Sequence, residues 1–262
     1  MNFSLMVLGS SAAIPTGNRN LSAHLLNANE RFVLIDCGEG TQFQLRKYHL
    51  SWQRIKHIFI SHLHGDHFFG LAGLLNSMHL LGRKHELNLF ALPLLKEILD
   101  LQLRASQTTL QYPLVFHPLP AGHFELLLRE ERLSVCSFPL KHSIPTCGFI
   151  FREENPPRKI AASRSYAYCS DTAFSEEIIP WITGTGLLYH EATFMQDRAL
   201  AAAEKFHSTA MEAATIAQKA GVAKLLIGHF SARYDDVNPL VAEARTIFPE
   251  TYPAEEGIWI NI

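Results

Sequence analysis

The stretch from Ser61 to His67 constrains this chain more than any other part of its sequence. It places three imidazoles and one carboxylate within six residues, at the spacing HxHxDH. The apolar run Ile58–Ile60 precedes it and Phe68–Leu81 follows it, and we predict a strand and a helix there. Gly65 is expected to let the backbone turn sharply, so that its neighbours point at one place. A polar loop with exposed histidines is the alternative, but these donors favour a site for zinc, or for iron or manganese.

The composition predicts a folded globular chain without a broadly basic surface. Of its 262 residues, 47% are hydrophobic and 18% are charged, which allows a sizeable core and argues against general disorder. Lysine and arginine number 23 against 25 acidic residues, a net charge of -2. This balance excludes an extended nucleic-acid-binding face, although a local basic patch stays possible.

The cysteines and the N-terminal segment predict a cytoplasmic protein. The four cysteines are scattered, with no CxxC pair, which is typical of small buried apolar side chains in a reducing compartment. The segment Met1–Ile14 resembles a signal peptide but has no lysine or arginine before its apolar run. We therefore predict a strand of the mature fold at Asn2–Leu8. No apolar run approaches the roughly 20 residues of a membrane span.

Short strands and helices alternate in the first and last thirds of the chain, and strands dominate the middle. This order predicts two sheets packed face to face with helices on their outer faces, in a single domain over residues 1–262. We also predict a surface loop at Arg152–Ser165. A helix at Ser208–Ala220 is expected to be capped by Ser208.

Three further side chains could complete a metal site, because each follows a predicted strand. His142 follows Leu133–Phe138, Asp171 follows the strand ending at Cys169, and His229 follows an apolar run that ends at Gly228. Polar groups of sheet proteins collect at such strand ends. Each also has a simpler alternative, as a surface histidine, a helix N-cap and a helix-end histidine.

The order HxHxDH, a lone histidine, an aspartate and a late histidine resembles the metallo-β-lactamase superfamily, whose fold is a four-layer αββα sandwich. Within it, further segments resemble ribonuclease Z, the endonuclease that trims tRNA 3′ ends. They are Gly9–Ser22, Asp36–Thr41, Ser61–His67, His142 with Gly148 and Phe149, Ser170–Thr172, His190–Phe194, His207–Thr209 and Gly228–Tyr234. The match runs nearly end to end and keeps the family's order.

The resemblance implies a dinuclear zinc site, with Mn²⁺ or Fe²⁺ as alternatives. The implied ligands of the first ion are His62, His64, His142 and Asp171. Those of the second are Asp66, His67, His229 and again Asp171, as a bridging carboxylate. A hydroxide between the ions would then be the nucleophile that attacks a phosphodiester. Asp66 would orient the attacking water and take its proton.

The resemblance also implies a proton donor and substrate contacts. His207 would protonate the leaving group, oriented by Glu191, although an exposed histidine and a solvated glutamate are the simpler alternatives. Ser231, Arg233 and Arg19 are candidate contacts to phosphate or nucleotide, and exposed arginines without a partner are the alternative. A homodimer is implied as well.

The match departs from ribonuclease Z where bacterial members carry a long basic arm that clamps tRNA. Only about 17 residues separate Phe149 from Tyr166, too few to project and return. Gly17 also replaces the family's usual lysine. Fewer cationic contacts weaken RNA binding, so a tRNA 3′ trailer and a smaller phosphodiester both stay open. Hydrolysis of another bond, in a lactone, thioester or sulfate ester, is the alternative function, and an idle scaffold is a third.

Overall fold

The computed structural model describes residues 2–120, 122–155 and 164–262, which form two compact units. The first unit comprises Met1–Leu119 and Glu256–Asn261, and the second comprises Pro120–Glu255 and Ile262. Each unit contains one mixed sheet with its own helices, so the prediction of an α/β chain with two sheets is confirmed. The prediction of one domain over residues 1–262 stays a prediction.

The first unit holds a sheet of seven strands among its described residues. The strands are β1 (Phe3–Gly9), β2 (Ala23–Ala28), β3 (Arg31–Ile35), β4 (Ile55–Phe59), β5 (Leu87–Ala91), β6 (Leu114–Pro118) and β14 (Trp259–Asn261). Their order is β14-β1-β2-β3-β4-β5-β6, and β3 through β6 run parallel to one another. The helices are α1 (Thr41–Lys47), α2 (Gly65–Phe68), α3 (Leu71–Leu80) and α4 (Leu94–Ala105), with a 3₁₀ turn at Trp52–Arg54.

The second unit also contains a seven-stranded mixed sheet among its described residues. Its strands are β7 (Glu125–Arg129), β8 (Leu133–Leu140), β9 (Thr146–Glu153), β10 (Ser165–Cys169), β11 (Leu187–Glu191), β12 (Lys224–Gly228) and β13 (Thr251–Pro253). They lie in the order β13-β12-β11-β10-β9-β8-β7, with β10 through β13 parallel. The helices are α5 (Ile179–Ile182), α6 (Ala199–Glu204), α7 (Ala210–Ala220) and α8 (Asn238–Arg245), and 3₁₀ turns occupy Glu176–Ile178 and Gln196–Arg198.

One face of α3 carries the core of the first unit. Leu71, Leu74, Leu75 and Met78 recur at the helical spacing i, i+3, i+4 and i+7, and all four are fully buried. They join the apolar side chains of β4, including Ile58, in one cluster. Burying each side chain of this size stabilises the fold by about 1.5–3 kcal/mol, so the pattern itself holds the helix on its sheet.

The predicted helix at Phe68–Leu81 is divided in the structure. The short helix α2 ends at Phe68, and α3 begins only at Leu71. Between them the Gly70 amide donates to the carbonyl of Cys37, and a Cβ at Gly70 would lie 2.2 Å from the carbonyl oxygen of Gly38. The divided helix therefore reflects close backbone packing at Gly70, which helical periodicity does not reveal.

Two other predictions about local structure need correction. The N-cap of α7 is Thr209 and not Ser208, whose hydroxyl instead donates to the carbonyl of Thr172. The predicted surface loop at Arg152–Ser165 is shorter, because β9 continues to Glu153 and β10 begins at Ser165. Residues 156–163 of that loop lie outside the described residues.

The cysteines have the environment that the sequence predicts. All four are free and buried. Burial raises the pKa of the Cys37 thiol to about 12 and that of Cys147 to about 11, so both are protonated at neutral pH.

Among the described residues, none of the helices combines the length and the hydropathy that crossing a bilayer requires.

The corrected cap can be tested by its contribution to stability. The Thr209 side chain accepts from the Glu212 amide, and the Glu212 side chain accepts from the Thr209 amide, a reciprocal capping box. We expect Thr209→Ala to lower the free energy of unfolding by about 1–2 kcal/mol in a denaturant titration. Thr215→Ala, on the same helix but away from its end, is the control and should have little effect. Equal losses for the two variants would contradict the assignment of the cap.

Candidate metal centre

The first unit gathers one set of ligand-type side chains, which we call the first cluster: His62, His64, Asp66 and His67. They follow the end of β4, whereas Asp36 follows the end of the parallel neighbour β3. The two strand ends therefore lie at the same sheet edge.

Gly65 is the first residue of α2, and it is not among the glycines with positive φ. A Cβ at Gly65 would meet the Phe69 ring at 2.3 Å, so the glycine is explained by close approach of this ring and not by the sharp turn that we expected.

Asp36 orients two histidines of the first cluster. Its carboxylate is fully buried and accepts from the Ser61 amide at 2.7 Å, the Ser61 hydroxyl at 2.8 Å and His67 Nδ1 at 2.7 Å. A carboxylate that accepts from His67 Nδ1 holds a proton there, so Nε2 is the nitrogen that the ring offers to a metal ion. Because the Ser61 hydroxyl donates to Asp36, it accepts from His62 Nδ1 at 3.0 Å.

The ligand-type atoms of the first cluster lie close together. His67 Nε2 lies 3.5 Å from Asp66 Oδ2, and His62 Nε2 lies 3.2 Å from His64 Nδ1. Asp66 Oδ2 also accepts from the amide of Ala13 at 2.9 Å. Imidazole nitrogens and a carboxylate oxygen grouped in this way fit a metal ion.

The second unit gathers the second cluster: His142, Asp171, Glu191, His207 and His229. Three of them lie at consecutive parallel strands, since Asp171 follows β10, Glu191 ends β11 and His229 follows β12. His142 follows β8, which runs in the same direction as β10 because both are antiparallel to β9. Four strands therefore deliver their polar side chains to one edge of the sheet, as expected from the sequence.

Hydrogen bonds fix the tautomers of the second cluster by the same principle. His142 Nδ1 donates to the carbonyl of Phe206 at 2.9 Å. The hydroxyl of Thr193 donates to Glu191 Oε2 at 2.7 Å, so it accepts from His229 Nδ1 at 2.9 Å. Both imidazoles therefore direct Nε2, and not Nδ1, into the cluster.

The Nε2 atoms of His142 and His229 both face Asp171. Its carboxylate oxygens lie 3.7 Å from His142 Nε2 and 3.3 Å from His229 Nε2. Asp171, His207 and His229 can each present one ligand atom within 4.8 Å of the others. Imidazole nitrogens and a carboxylate oxygen are ligands of Zn²⁺, Mn²⁺ and Fe²⁺, so the residues present fit a divalent metal ion.

Glu191 organises the rest of the second cluster. Its carboxylate is fully buried and accepts from the amides of Thr172 and Thr193 at 3.1 and 3.0 Å. It also accepts from His207 Nδ1 at 2.7 Å. Burial by itself would raise the pKa of the Glu191 carboxyl, but the charge of His207 and this hydrogen bond outweigh burial and lower it. Glu191 is therefore a buried anion that holds His207 in place and favours its protonated form.

The three predicted substrate contacts fall in different surroundings. Arg233 Nε donates to the Ser231 hydroxyl at 2.9 Å, and its guanidinium lies 5.1 Å from the centre of the Phe194 ring. Arg19 lies in the first unit and is only 8% exposed. The structure thus gives the exposed Arg233 two partners and buries Arg19. Their roles toward substrate stay predictions.

Sequence reasoning missed the residues that orient the ligands. Asp36 and Ser61 lie in segments that carried the resemblance, but no role followed from their spacing. Thr193 and Phe206 act through a hydroxyl and a backbone carbonyl. Such contacts arise from tertiary structure, so no local pattern announces them. Asp36 and Phe206 also have a positive φ, which is uncommon for residues other than glycine. This signal of a functional role is visible in the structure and not in the sequence.

Comparison with solved structures defines the class of protein. The metallo-β-lactamase-fold protein YhfI of Bacillus subtilis superposes with a TM-score of 0.81 at 19% identity and covers 100% of both chains. Human tRNase Z, short form, superposes with a TM-score of 0.85 at 32% identity and covers 99% of both chains. The chain therefore has the metallo-β-lactamase fold, the α/β sandwich that the sequence predicts.

The particular family follows from sequence comparison. Ribonuclease Z of Azobacteroides pseudotrichonymphae is 42% identical over 285 aligned positions, covering 99% of both proteins. A family model described as Anti-Pycsar protein Apyc1 matches residues 3–247. The chain belongs to the ribonuclease Z family and to the family that this model describes. The predicted resemblance is confirmed, and with it the assignment to a family of metal-dependent hydrolases.

The role of Asp36 gives a test of the first cluster. In Asp36→Asn an amide N–H would replace the oxygen that faces His67 Nδ1, which would move the imidazole proton to Nε2 and remove its lone pair. We expect metal affinity to fall by roughly 10–100-fold, measured by competition with a chelator. Asp100→Asn, at an exposed ion pair on α4, is the control and should bind metal like the unmodified protein. Undiminished affinity in Asp36→Asn would show that Asp36 does not set the tautomer.

Proposed function

We propose that the chain is a dinuclear metallohydrolase that cleaves phosphodiester bonds. In this proposal the chain binds two ions with the ligand sets that the family resemblance implies. The ligands of one ion are His62, His64, His142 and Asp171. Those of the other are Asp66, His67, His229 and Asp171 as a shared carboxylate. The observation that carries the proposal is that His67, His142 and His229 each have Nδ1 engaged and Nε2 facing a carboxylate at 3.3–3.7 Å.

The chain's own residues divide the work of hydrolysis among them. When bound, two divalent ions would lower the pKa of water towards about 7 and polarise the phosphoryl oxygens. Asp66, held by the Ala13 amide, accepts the proton of the attacking water. The water oxygen forms a bond to phosphorus as the bond to the leaving oxygen breaks. His207, hydrogen-bonded to Glu191, donates the proton that the leaving oxygen takes up.

The proposed substrate is an RNA 3′ end or a smaller phosphodiester. Support for RNA comes from relatives named ribonuclease Z, which are 38–42% identical. Support for a smaller substrate comes from the short segment between Phe149 and Tyr166 and from the net charge of -2. Ser231 and Arg233, which contact each other, and the buried Arg19 are proposed to contact phosphate. Hydrolysis of a lactone, thioester or sulfate ester is the alternative.

We also propose zinc as the metal, with Mn²⁺ or Fe²⁺ as alternatives, because the donors are imidazoles and carboxylates without a thiolate. A cytoplasmic location is supported by four free cysteines. A homodimer is supported by large apolar side chains exposed along α1–α3 of the first unit. These are Phe43, Phe69, Leu80 and Leu81, at 64–73% exposure.

Substrate class can be tested with small chromogenic esters. We expect zinc-loaded protein to hydrolyse bis-p-nitrophenyl phosphate faster than p-nitrophenyl acetate, because two cations and an acid suit a charged phosphodiester. Turnover of the carboxylate ester alone would contradict the proposal.

In a separate measurement, the affinity for a tRNA precursor should be low and should decrease steeply with salt concentration. A tight complex that does not depend on salt would contradict the expectation that this chain has few contacts to the phosphates of tRNA.

The proposal that His207 is the proton donor and not a metal ligand can be tested, because a ligand group of Asp171, His207 and His229 would predict loss of metal on its removal. We expect His207→Ala to keep its metal content and to lower turnover of an alkyl phosphodiester by about 100-fold or more. The loss should be smaller with a p-nitrophenolate leaving group, which needs no proton. His85→Ala changes an exposed histidine of the first unit and serves as the control. Equal rates for His207→Ala and the unmodified protein would remove His207 from the mechanism.

A further inference from the structure

The segment Ser10–Asn20 connects β1 to β2 in the first unit and is tied to the first cluster at one point. There the amide of Ala13 donates to Asp66 Oδ2 at 2.9 Å. Ala13 has a φ of 61°, a conformation that a non-glycine residue adopts only when its surroundings hold it. The orientation of the Asp66 carboxylate therefore depends on the shape of this segment.

Both ends of the segment are held by one carboxylate from the far end of the chain. Glu256 Oε1 accepts from the amide of Ser10 at 3.1 Å, from its hydroxyl at 3.2 Å and from the amide of Asn20 at 2.8 Å. Glu256 Oε2 accepts from Asn20 Nδ2 at 2.6 Å. Hydrogen bonds to a charged acceptor are about twice as strong as neutral ones, so four of them make a firm clamp.

Glu256 is itself held against the sheet. The amide of Gly257 donates to the carbonyl of Val7 at 2.9 Å, and β14 continues the pairing with β1. Inside the segment, the Ser11 amide donates to the carbonyl of Asn20 at 2.8 Å. The segment is thus closed at its base, and Ala13 lies within the closed part.

We infer that Glu256 is a positioning residue for the metal centre: it clamps Ser10 and Asn20, and through the Ala13 amide it sets the orientation of Asp66. This inference rests on the proposed function in that Asp66 is a proposed ligand and proton acceptor. The hydrogen bonds that the structure gives to the Glu256 side chain come from Ser10 and Asn20. Its effect is carried by backbone and side-chain hydrogen bonds that all lie within the first unit.

Three variants separate this role from a general effect on stability. Glu256→Ala removes all four hydrogen bonds. Glu256→Gln keeps one acceptor oxygen, and rotation of the Asn20 amide lets Asn20 Oδ1 accept from the new Nε2, so most of the clamp survives. Glu255→Ala changes the exposed neighbouring glutamate and is the matched control.

We expect Glu256→Ala to accelerate hydrogen exchange at the amides of residues 10–20 and to weaken zinc binding by about tenfold in a chelator competition. Its kcat on bis-p-nitrophenyl phosphate should fall more than its KM rises. Glu256→Gln should restore most of each property, and Glu255→Ala should match the unmodified protein. Asn20→Ala, which removes the 2.6 Å contact alone, gives a second test if Glu256→Ala does not fold.

A lower Tm for Glu256→Ala with unchanged zinc affinity and unchanged exchange at residues 10–20 would overturn the inference. Zinc affinity and exchange are measured without a substrate. They therefore report on Glu256 even if the unmodified protein hydrolyses no phosphodiester, which would reject the proposed function alone.

Discussion

Hydrogen bonds to Nδ1 of three histidines are the interactions on which the site depends. In each unit, an acceptor held by the fold accepts a hydrogen bond from Nδ1 of a histidine, so that Nε2 is directed at a carboxylate. Strand ends and these hydrogen bonds hold the groups in place. In the proposed site, a divalent ion would bind the directed nitrogens together with the carboxylates, and its charge would stabilise carboxylates that lie buried beside one another.

The same principle explains why the orienting groups are as buried as the ligands. Asp36 and Glu191 are both fully buried. Besides an imidazole, Asp36 accepts from the amide and the hydroxyl of Ser61, and Glu191 accepts from the amides of Thr172 and Thr193 and from the hydroxyl of Thr193. A buried carboxylate is stable only when its oxygens are satisfied in this way. Glu191 serves two histidines at once, His207 directly and His229 through Thr193. In the proposed mechanism, Glu191 would therefore link the proton donor His207 to the metal ligand His229.

The sequence predicted the chemistry of the site better than its geometry. The spacing HxHxDH is local, so the first cluster could be found directly, and the strand-end rule together with the family resemblance found Asp171 and His229. Three features depended on tertiary contacts that no local pattern records. The cap of α7 is Thr209 because the hydroxyl of Ser208 is engaged by the carbonyl of Thr172. Gly65 accommodates a phenyl ring, and Phe206 orients His142 through its backbone.

Differences from the relatives bear on the substrate. The alignment with ribonuclease Z of Azobacteroides pseudotrichonymphae spans 285 positions, whereas this chain has 262 residues. That relative therefore contains segments without a counterpart here. The proposal of a smaller substrate rests on this difference in length and on the short segment between Phe149 and Tyr166, because the affinity of a protein for nucleic acid depends on the number of its cationic contacts to phosphate.

The most direct test of the account is a crystal structure of the zinc-loaded protein with anomalous data collected on both sides of the zinc edge. The account predicts two anomalous peaks about 3.5–4 Å apart, with the carboxylate of Asp171 bound to both. It also predicts Nε2 of His67, His142 and His229 as ligands. A single peak, or two peaks with Asp171 bound to neither, would contradict it.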